Sequence, residues 1–338
     1  MKKSLLALAV LGAFTTAASA QSSVTLFGTL DMAGRYVKAD GQSRRLSEVT
    51  NGLNSSQLGF KGTEDLGGGL KAGFELLADL AGADTGSAPA NGKLWNRRSV
   101  VKLLGNFGEV RLGRDYTPTF WNLTIFDAFG TNGLGSSLNV QQLYGSTRAD
   151  NSIGYFLPSN LGGFYGQAMV AASEGGTELD KGGRYVGGRA GFAAGPFDVA
   201  FAASEWRIDA ANAEQFKQYN IGGSYDLGVA KILGYWDRTT FINAKQNTGS
   251  ISAVIPFGQS EVHVGYDRSK LENNGLSSSV DQIKAQYVYN LSKRTALYSA
   301  VSRLSNKDAT RLTLPGAAGP TTANGKSSGI EFGLRHFF

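Results

Sequence analysis

Few side chains in this 338-residue sequence could make or break bonds. There is no cysteine, and the only histidines are His263 and His336. Thiolate sites and histidine-rich zinc sites are therefore excluded. A Ser–His pair would have to use His263, between Val262 and Val264, or His336, beside the terminal Phe337-Phe338, and neither stands in a nucleophile setting. No metal, no cofactor and no enzymatic reaction is expected. What the spacing does offer is fixed charge. Lys61 shares a face with Gln57 and Gly59, opposite Leu58 and Phe60, and Arg148 shares one with Asp150 and Ser152, opposite Ile153 and Tyr155. Cations held in a row beside water attract and orient anions. A single arginine can instead be a snorkelling rim residue or half of a structural ion pair.

The elements that must hold these charges are strands. Apolar residues recur with a period of two almost everywhere, as in Tyr219, Ile221, Tyr225 and Leu227 against Gln218, Asn220, Ser224 and Asp226. Ile251, Ala253, Ile255 and Phe257 alternate with Ser250 and Ser252, and Ile330, Phe332 and Leu334 with Glu331 and Arg335. Such alternation marks strands with one apolar and one polar face. Tight connections are expected at 64–69, 105–106, 158–163, 195–196, 226–228, around 258 and at 290–293. Longer ones are expected near 39–54, 83–93, 115–146, 174–183, 207–215, 241–246, 272–279 and 306–326. Seven short and eight long connections imply sixteen strands. Short turns on one side and long loops on the other fit a transmembrane β-barrel. A soluble β-sandwich would also alternate. Its strands would be shorter than the roughly ten to fourteen residues found here, and aromatics would not gather near strand ends as Phe27, Trp95, Tyr155, Trp236, Phe257, Tyr289 and Phe338 do. A barrel of sixteen strands is too wide for side chains to fill, so its polar faces line water. A lysine or arginine facing lipid near the midplane costs about 2–4 kcal/mol, so Lys61 and Arg148 should point inward.

One connection does not behave like a loop. Asp115–Ser146 is far longer than a hairpin connection of two to five residues, yet it carries Phe120, Trp121, Leu123, Ile125, Phe126, Phe129, Leu134 and Leu138. That much apolar surface argues for a segment folded inward against the barrel wall. Asp127 is the one acid well inside it. The first twenty residues read as a cleaved export signal: Lys2 and Lys3, an apolar Leu5–Phe14, and Ala18-Ser19-Ala20 ahead of Gln21. A single barrel domain over 21–338 would follow, and loss of the two lysines would take the formal charge from +6 to +4. The lysines and arginines are spread through the strands rather than clustered, which points away from nucleic acid.

The sequence also resembles the Gram-negative general porins, in particular the branch typical of β-proteobacteria. The matching stretches are Ser23-Val24-Thr25-Leu26-Phe27-Gly28, the run Leu58-Gly59-Phe60-Lys61-Gly62-Thr63-Glu64-Asp65-Leu66-Gly67, and Leu112-Gly113-Arg114-Asp115-Tyr116-Thr117-Pro118. Others are Asp127-Ala128-Phe129-Gly130, Arg148-Ala149-Asp150-Asn151-Ser152-Ile153 and the ending Gly333-Leu334-Arg335-His336-Phe337-Phe338. The resemblance implies an all-β, sixteen-stranded antiparallel outer-membrane barrel, a homotrimer, and a third loop folded into the pore as an eyelet. It implies a general diffusion channel for ions and small hydrophilic solutes. It also implies that Phe338 closes a signal read by the barrel-assembly machinery.

In such proteins basic wall residues face acidic groups on the inserted loop, and the resulting field sets ion preference. The resemblance assigns Arg97 and Arg114 to that wall beside Lys61 and Arg148, with Asp127 as the loop acid. It leaves Arg98 at a subunit contact or outer rim, and Gln57 where a basic residue often stands. Four cations against one carboxylate imply weak to moderate anion preference. A substrate-specific porin and an adhesive or structural barrel are the alternatives, the latter using loops such as 39–54 and 306–326.

Overall fold

The structure, a computed structural model, describes residues 23–80, 82, 92–173, 183–208, 215–320 and 322–338. The expected export signal lies outside these residues, as do most of the connections near 83–93, 174–183 and 207–215. The first strands are β1 (Ser23–Ala39), β2 in two arms (Arg45–Thr50 and Gln57–Gly67), β3 (Leu70–Asp79) and β4 (Arg98–Gly105). Next come β5 (Gly108–Tyr116), β6 (Arg148–Phe156), β7 (Phe164–Ala171), β8 (Tyr185–Ala194), β9 (Phe197–Arg207) and β10 (Gln215–Asp226). The set ends with β11 (Lys231–Phe241), β12 (Ala244–Phe257), β13 (Ser260–Asn273), β14 (Leu276–Asn290), β15 (Thr295–Lys307) and β16 (Lys326–Phe337). Each pairs antiparallel with its sequence neighbours, and β16 returns to β1 from Thr29↔Phe337 to Ala39↔Ser327. Gly28 and Phe338 complete the seam by exchanging N–H···O bonds of 3.0 and 3.1 Å. Seventeen hydrogen-bonded segments thus make a closed sixteen-stranded barrel, because both arms of β2 pair with β1. Closure leaves no unpaired strand edge.

Burial decides which face is which. Phe201, Ile221, Ile251, Ile283 and Phe332 are 48–61% exposed, whereas Asn220, Asp237, Thr239, Gln246 and Gln282 are fully buried. A water-soluble sandwich shows the reverse, since apolar side chains left in contiguous bands are unfavourable in water. With apolar side chains outward and polar ones inward, lipid surrounds the barrel. At the short-turn end the outward band closes on Phe107, Phe164, Phe197, Tyr225, Phe257 and Tyr289, all 37–62% exposed. Phe27, expected in such a girdle, instead turns inward beneath Lys61, because Leu26 and Val24 hold the lipid face of β1. Among the described residues no helix is long and apolar enough to cross a membrane.

Three local features depart from the alternation. The connections expected near 241–246 and 272–279 are tight turns, because pairing runs on to Phe241↔Ala244 and Asn273↔Leu276. Asn274 and Gly275, with φ of 49° and 80°, supply the two positive dihedrals that a right-twisted hairpin favours. Part of the expected loop at 39–54 is strand: Arg45–Thr50 pairs with β1, after which residues 51–56 leave the wall before β2 resumes. Asp31 holds that excursion. Its carboxylate accepts N–H bonds from Gly52, Leu53 and Asn54 at 3.2, 2.8 and 2.5 Å and an O–H bond from Tyr298 at 2.5 Å.

The third feature is a bulge. Between β5 and β6 the register passes from Gly113↔Ser152 to Asp115↔Ala149, so two residues on β6 face one on β5. Gly113 sits there with φ +130°, and a Cβ on it would come within 2.0 Å of the Ser99 carbonyl. Backbone strain of this kind costs about 1–3 kcal/mol for a residue with a side chain. Gly113→Ala is therefore expected to lower the thermal unfolding midpoint of the refolded barrel and to loosen the Arg148 end of β6. An unchanged midpoint, followed by circular dichroism in detergent, would remove the bulge's claim to be required.

Candidate pore constriction

The segment between β5 and β6 begins with a short helix, α1 (Pro118–Ile125). Pro118 at the first turn suits helix entry, since its missing N–H would have no partner there. The segment then runs along the polar inner face of the far wall. Asn122 donates to the Ala200 carbonyl and to Asn220 Oδ1 at 3.1 and 3.0 Å, and Asn220 donates back to the Thr119 carbonyl at 3.1 Å. Arg189 donates to Asn122 Oδ1. Leu123 and Phe126 pack against Ala200 and Tyr235, and Phe126 occupies the space where a side chain at Gly222 would stand. Farther along, Ala128 N–H reaches Ser252, Gln282 donates to the Leu134 carbonyl, and Gln246 accepts from the N–H groups of both Gln142 and Leu143. The contacts step from β8 round to β16, where Glu331 accepts from Leu134 N–H.

Asp127 does not present its charge to water. Its side chain is fully buried against the Lys284 ammonium at 3.2 Å, and the same ammonium meets Asp267 at 2.9 Å. The backbone N–H groups of Phe129 and Ser137 take the remaining carboxylate positions, and Lys284 lies 4.5 Å from the Phe129 ring centre. Asp127 is thus a fastening rather than an exposed loop acid, because a carboxylate carried into the wall needs a cation to remain ionised. Nothing in the sequence singles out Lys284. It stands at a polar position of an alternating strand, and nothing local says which distant group it meets.

On the opposite wall the basic residues gather round one ring. Arg97 and Arg148 each donate to the Tyr116 hydroxyl at 2.8 Å. Arg148 also lies over the Tyr116 ring at 4.4 Å and Arg98 at 5.4 Å. Phe120 stacks on Tyr116 at 5.4 Å and Trp121 tilts against it at 5.3 Å, which joins the loop's first turn to the basic wall. An open cavity of ≈ 440 Å³ lies between them. Gln57, Glu75, Arg97 and Arg98 line it from the wall, Trp121, Thr124 and Thr131 from the loop, and Asn54 and Ser55 from the excursion in β2. Ser55 donates to Asn132 at 2.8 Å, so the excursion and the loop meet directly.

The charges in this space are unevenly balanced. Arg98, which the resemblance left at the periphery, forms ion pairs of 2.7 Å with both Glu75 and Asp115 and borders the cavity. Its strand parity is inward, while Arg97 precedes β4 and is free of that alternation. Arg97 has Asp79 at 3.6 Å. Arg114 is turned to Asp150 at 2.6 Å and to the Asn96 carbonyl, and Asp150 also holds Lys93. Lys61 is exposed on the inner face, 5.0 Å from the centre of the Phe27 ring. Its cross-strand neighbour Glu75 is already engaged by Arg98. Among the described residues, Arg148 and Lys61 have no carboxylate at ion-pair distance, and the only acid of the loop is neutralised by Lys284. The wall carries the unbalanced charge, and the loop carries none.

Comparison with known proteins agrees with this architecture. A sequence profile of Gram-negative porins matches residues 7–309. The outer membrane porin protein 32 of Delftia acidovorans is 40% identical, with both chains covered completely, and an outer membrane porin of Bordetella pertussis is 26% identical over the same full extent. The solved anion-selective porin from Comamonas acidovorans superimposes with a TM-score of 0.84 at 38% identity, over 94% of this chain and 100% of that one.

The buried pair gives a direct test of how the loop is held. Removing one partner of such a pair costs about 3–5 kcal/mol, because the other charge stays buried and uncompensated. Lys284→Met should therefore destabilise the barrel more than Asp127→Asn, which leaves Lys284 with Asp267. Single-channel records of Lys284→Met should show added open-channel noise or larger substates as the loop detaches. Quiet, unchanged records with unchanged stability would mean that the loop is held elsewhere.

Proposed function

The chain belongs to the Gram-negative porin family, and from that footing we propose that this outer-membrane diffusion channel favours small anions at a constriction formed by the segment 117–147, the excursion at 51–56 and the basic wall. The observation that carries the reading is the asymmetry of charge. Among the described residues, Arg148 and Lys61 face the interior without carboxylate partners, and Asp127 is spent on Lys284. An anion passing Tyr116 meets guanidinium groups on one side and an uncharged loop surface on the other. Water in the lumen keeps the attraction modest, about 1 kcal/mol for charges 4 Å apart, or roughly fivefold in ion partitioning. Passage stays fast because the site attracts without enclosing.

In this reading Lys61 and Arg148, with Arg97 beside them, set the sign of the field, Arg98 is held by Glu75 and Asp115, and Arg114 braces the end of β5 through Asp150. The solved relative from Comamonas acidovorans is described as anion-selective, which is consistent with a basic constriction here. The family resemblance also implies a homotrimer. It further implies recognition of the last strand during assembly, and the outward exposure of Phe332 and Leu334, at 61% and 47%, beside the terminal Phe338 is the feature that would be read. A substrate-specific channel is the second reading, favoured by the Tyr116–Phe120–Trp121 cluster at the cavity. Micromolar block of KCl current by one aromatic carboxylate but not by its neutral alcohol would support it.

Zero-current potentials across a planar bilayer in a KCl gradient should report chloride preference. The preference should fade toward 1 M salt, where screening shortens to about 3 Å. A cation preference at low salt would end the proposal. Arg148→Glu should move the potential toward potassium by a few-fold in permeability ratio, since it removes a cation and adds an anion beside Tyr116. An unmoved potential would mean that Arg148 does not act on permeating ions.

A further inference from the structure

Another cavity, of ≈ 600 Å³, lies at the long-loop end of the barrel and shares no lining residue with the one beside Tyr116. Its volume falls in the range of about 300–1,000 Å³ typical of small-molecule sites. One side is the end of the β13–β14 hairpin. There Leu271 and Leu276 share the strand parity of Asp267 and Gln282, both fully buried on the inner face. The other side is the connection after β15, at residues 308–312. Gln142 completes the lining, and it belongs to the segment that forms the constriction.

The wall at 308–312 is held in shape. Asp308 and Ala309 have φ of 54° and 68°, a left-handed pair that residues with side chains keep only where their surroundings fix it. Ala309 N–H donates to Asn324 Oδ1 at 2.8 Å, and Asn324 N–H donates to the Thr310 carbonyl at 3.1 Å. The Asn306 side chain donates to the Leu312 carbonyl at 2.8 Å and accepts from Leu312 N–H at 2.9 Å. Asp308 accepts from the Ser279 hydroxyl at 2.9 Å. Ser279 has the outward parity of Ile283, so this contact draws the carboxylate away from the inner side. Leu312 packs on the buried cluster that holds Leu134 and Val140 of the constriction segment. The cavity is therefore preformed, and two of its lining residues bear on that segment.

The lining selects a class of solute. Leu271, Leu276 and Leu312 offer apolar surface, and Gln142 donates to Ser278 at 3.0 Å across the cavity. Arg311 is the one cation of the lining, and among the described residues no carboxylate stands at ion-pair distance from it. A guanidinium presents paired donors that match the two oxygens of a carboxylate. We propose that this cavity binds a short aliphatic monocarboxylate, its head group on Arg311 and its body against the three leucines. An inorganic anion can use only Arg311, and a neutral hydrocarbon only the leucines. Occupancy reaches the constriction through Gln142 directly and through Leu312 by way of the cluster with Leu134 and Val140. The bound acid thus steadies the second half of the constriction segment from the outer mouth of the pore.

The test uses the full-length porin in neutral detergent, with 4-methylpentanoate as the probe, its amide as the uncharged match and acetate as the head group alone. Saturation-transfer NMR reads binding, and hydrogen exchange reads the backbone of residues 138–146. The acid should bind about tenfold more tightly than the amide, as one charge-assisted contact warrants, and acetate should show no saturable binding. Arg311→Gln should bring the acid down to the level of the amide. Ser277→Trp, which fills the cavity from the hairpin end, should remove both. Exchange at Gln142 and Leu143 should slow several-fold when the acid binds the unaltered protein, and in neither variant. Equal binding of acid and amide to the unaltered protein would overturn the proposal, whether or not the variants refold. So would loss of binding in Arg148→Gln with retention in Arg311→Gln, which would place the acid beside Tyr116. Binding without slowed exchange would overturn the link to the constriction. No readout depends on ion flow, so failure here is distinct from failure of the anion preference.

Discussion

The whole structure depends on the rule that a backbone surrounded by lipid must satisfy its own hydrogen bonds. Pairing of β16 with β1, completed by the exchange between Gly28 and Phe338, removes the last open edge. Closure at sixteen strands fixes a circumference wider than side chains can fill. The alternation of each strand then sends polar groups into that space and apolar groups into lipid. Everything that narrows the interior must come from chain that leaves the wall. Among the described residues, the connection after β15 packs Leu314 in one cluster with Val37 and Leu134, and 117–147 between β5 and β6 and 51–56 within β2 leave the wall. The latter two touch through Ser55 and Asn132.

Such segments are held by polar contacts of unusual completeness, because the inner wall offers few apolar surfaces. Asn122 and Asn220 exchange bonds, Gln246 serves two N–H groups, and Lys284 sits between Asp127 and Asp267. Apolar burial is concentrated at a few points, Leu123 and Phe126 against Ala200 and Tyr235, and Leu134 with Val37, Val280 and Leu304. The consequence for electrostatics is direct. A loop fastened by pairing its only acid has no negative charge left to show. Shape comes from the loop and field from the wall.

The strands were legible in the sequence because period-two alternation is a local property and the membrane enforces it on nearly every strand. Short turns were legible for the same reason. What stayed hidden depends on pairing between distant positions. Residues 39–54 read as a loop, since nothing in Arg45–Thr50 reveals that it pairs with β1. Asn274-Gly275 reads as part of a longer connection because polar strand ends such as Ser277–Ser279 look like loop. Arg97 and Arg98 could not be told apart by alternation, and the structure brings both to the cavity, one from within β4 and one from the residue before it. Asp127 stands out in the sequence, but its role does not, because its partner Lys284 lies 157 residues away.

The bulge at Gly113 shows why such a site resists being read from pattern alone. Up to Leu112, β5 alternates regularly, with Leu112 and Val110 toward lipid and Arg111 and Glu109 inward. Asp115 keeps the inward parity of Arg111 and pairs with it and with Arg98, while the extra residue of β6 opposite Arg114 breaks the sequence of faces where Arg97 and Arg148 reach Tyr116. Without the shift, Arg114 and Tyr116 would keep the parity of Leu112 and face lipid, where an arginine is costly. The bulge therefore moves a potential liability on the membrane face into an ion pair with Asp150. It also turns Tyr116 into the ring on which the wall's guanidinium groups gather. A glycine is the residue that can do this at φ +130° with the Ser99 carbonyl so close. The charge of the constriction thus rests on a backbone irregularity as much as on the arginines themselves.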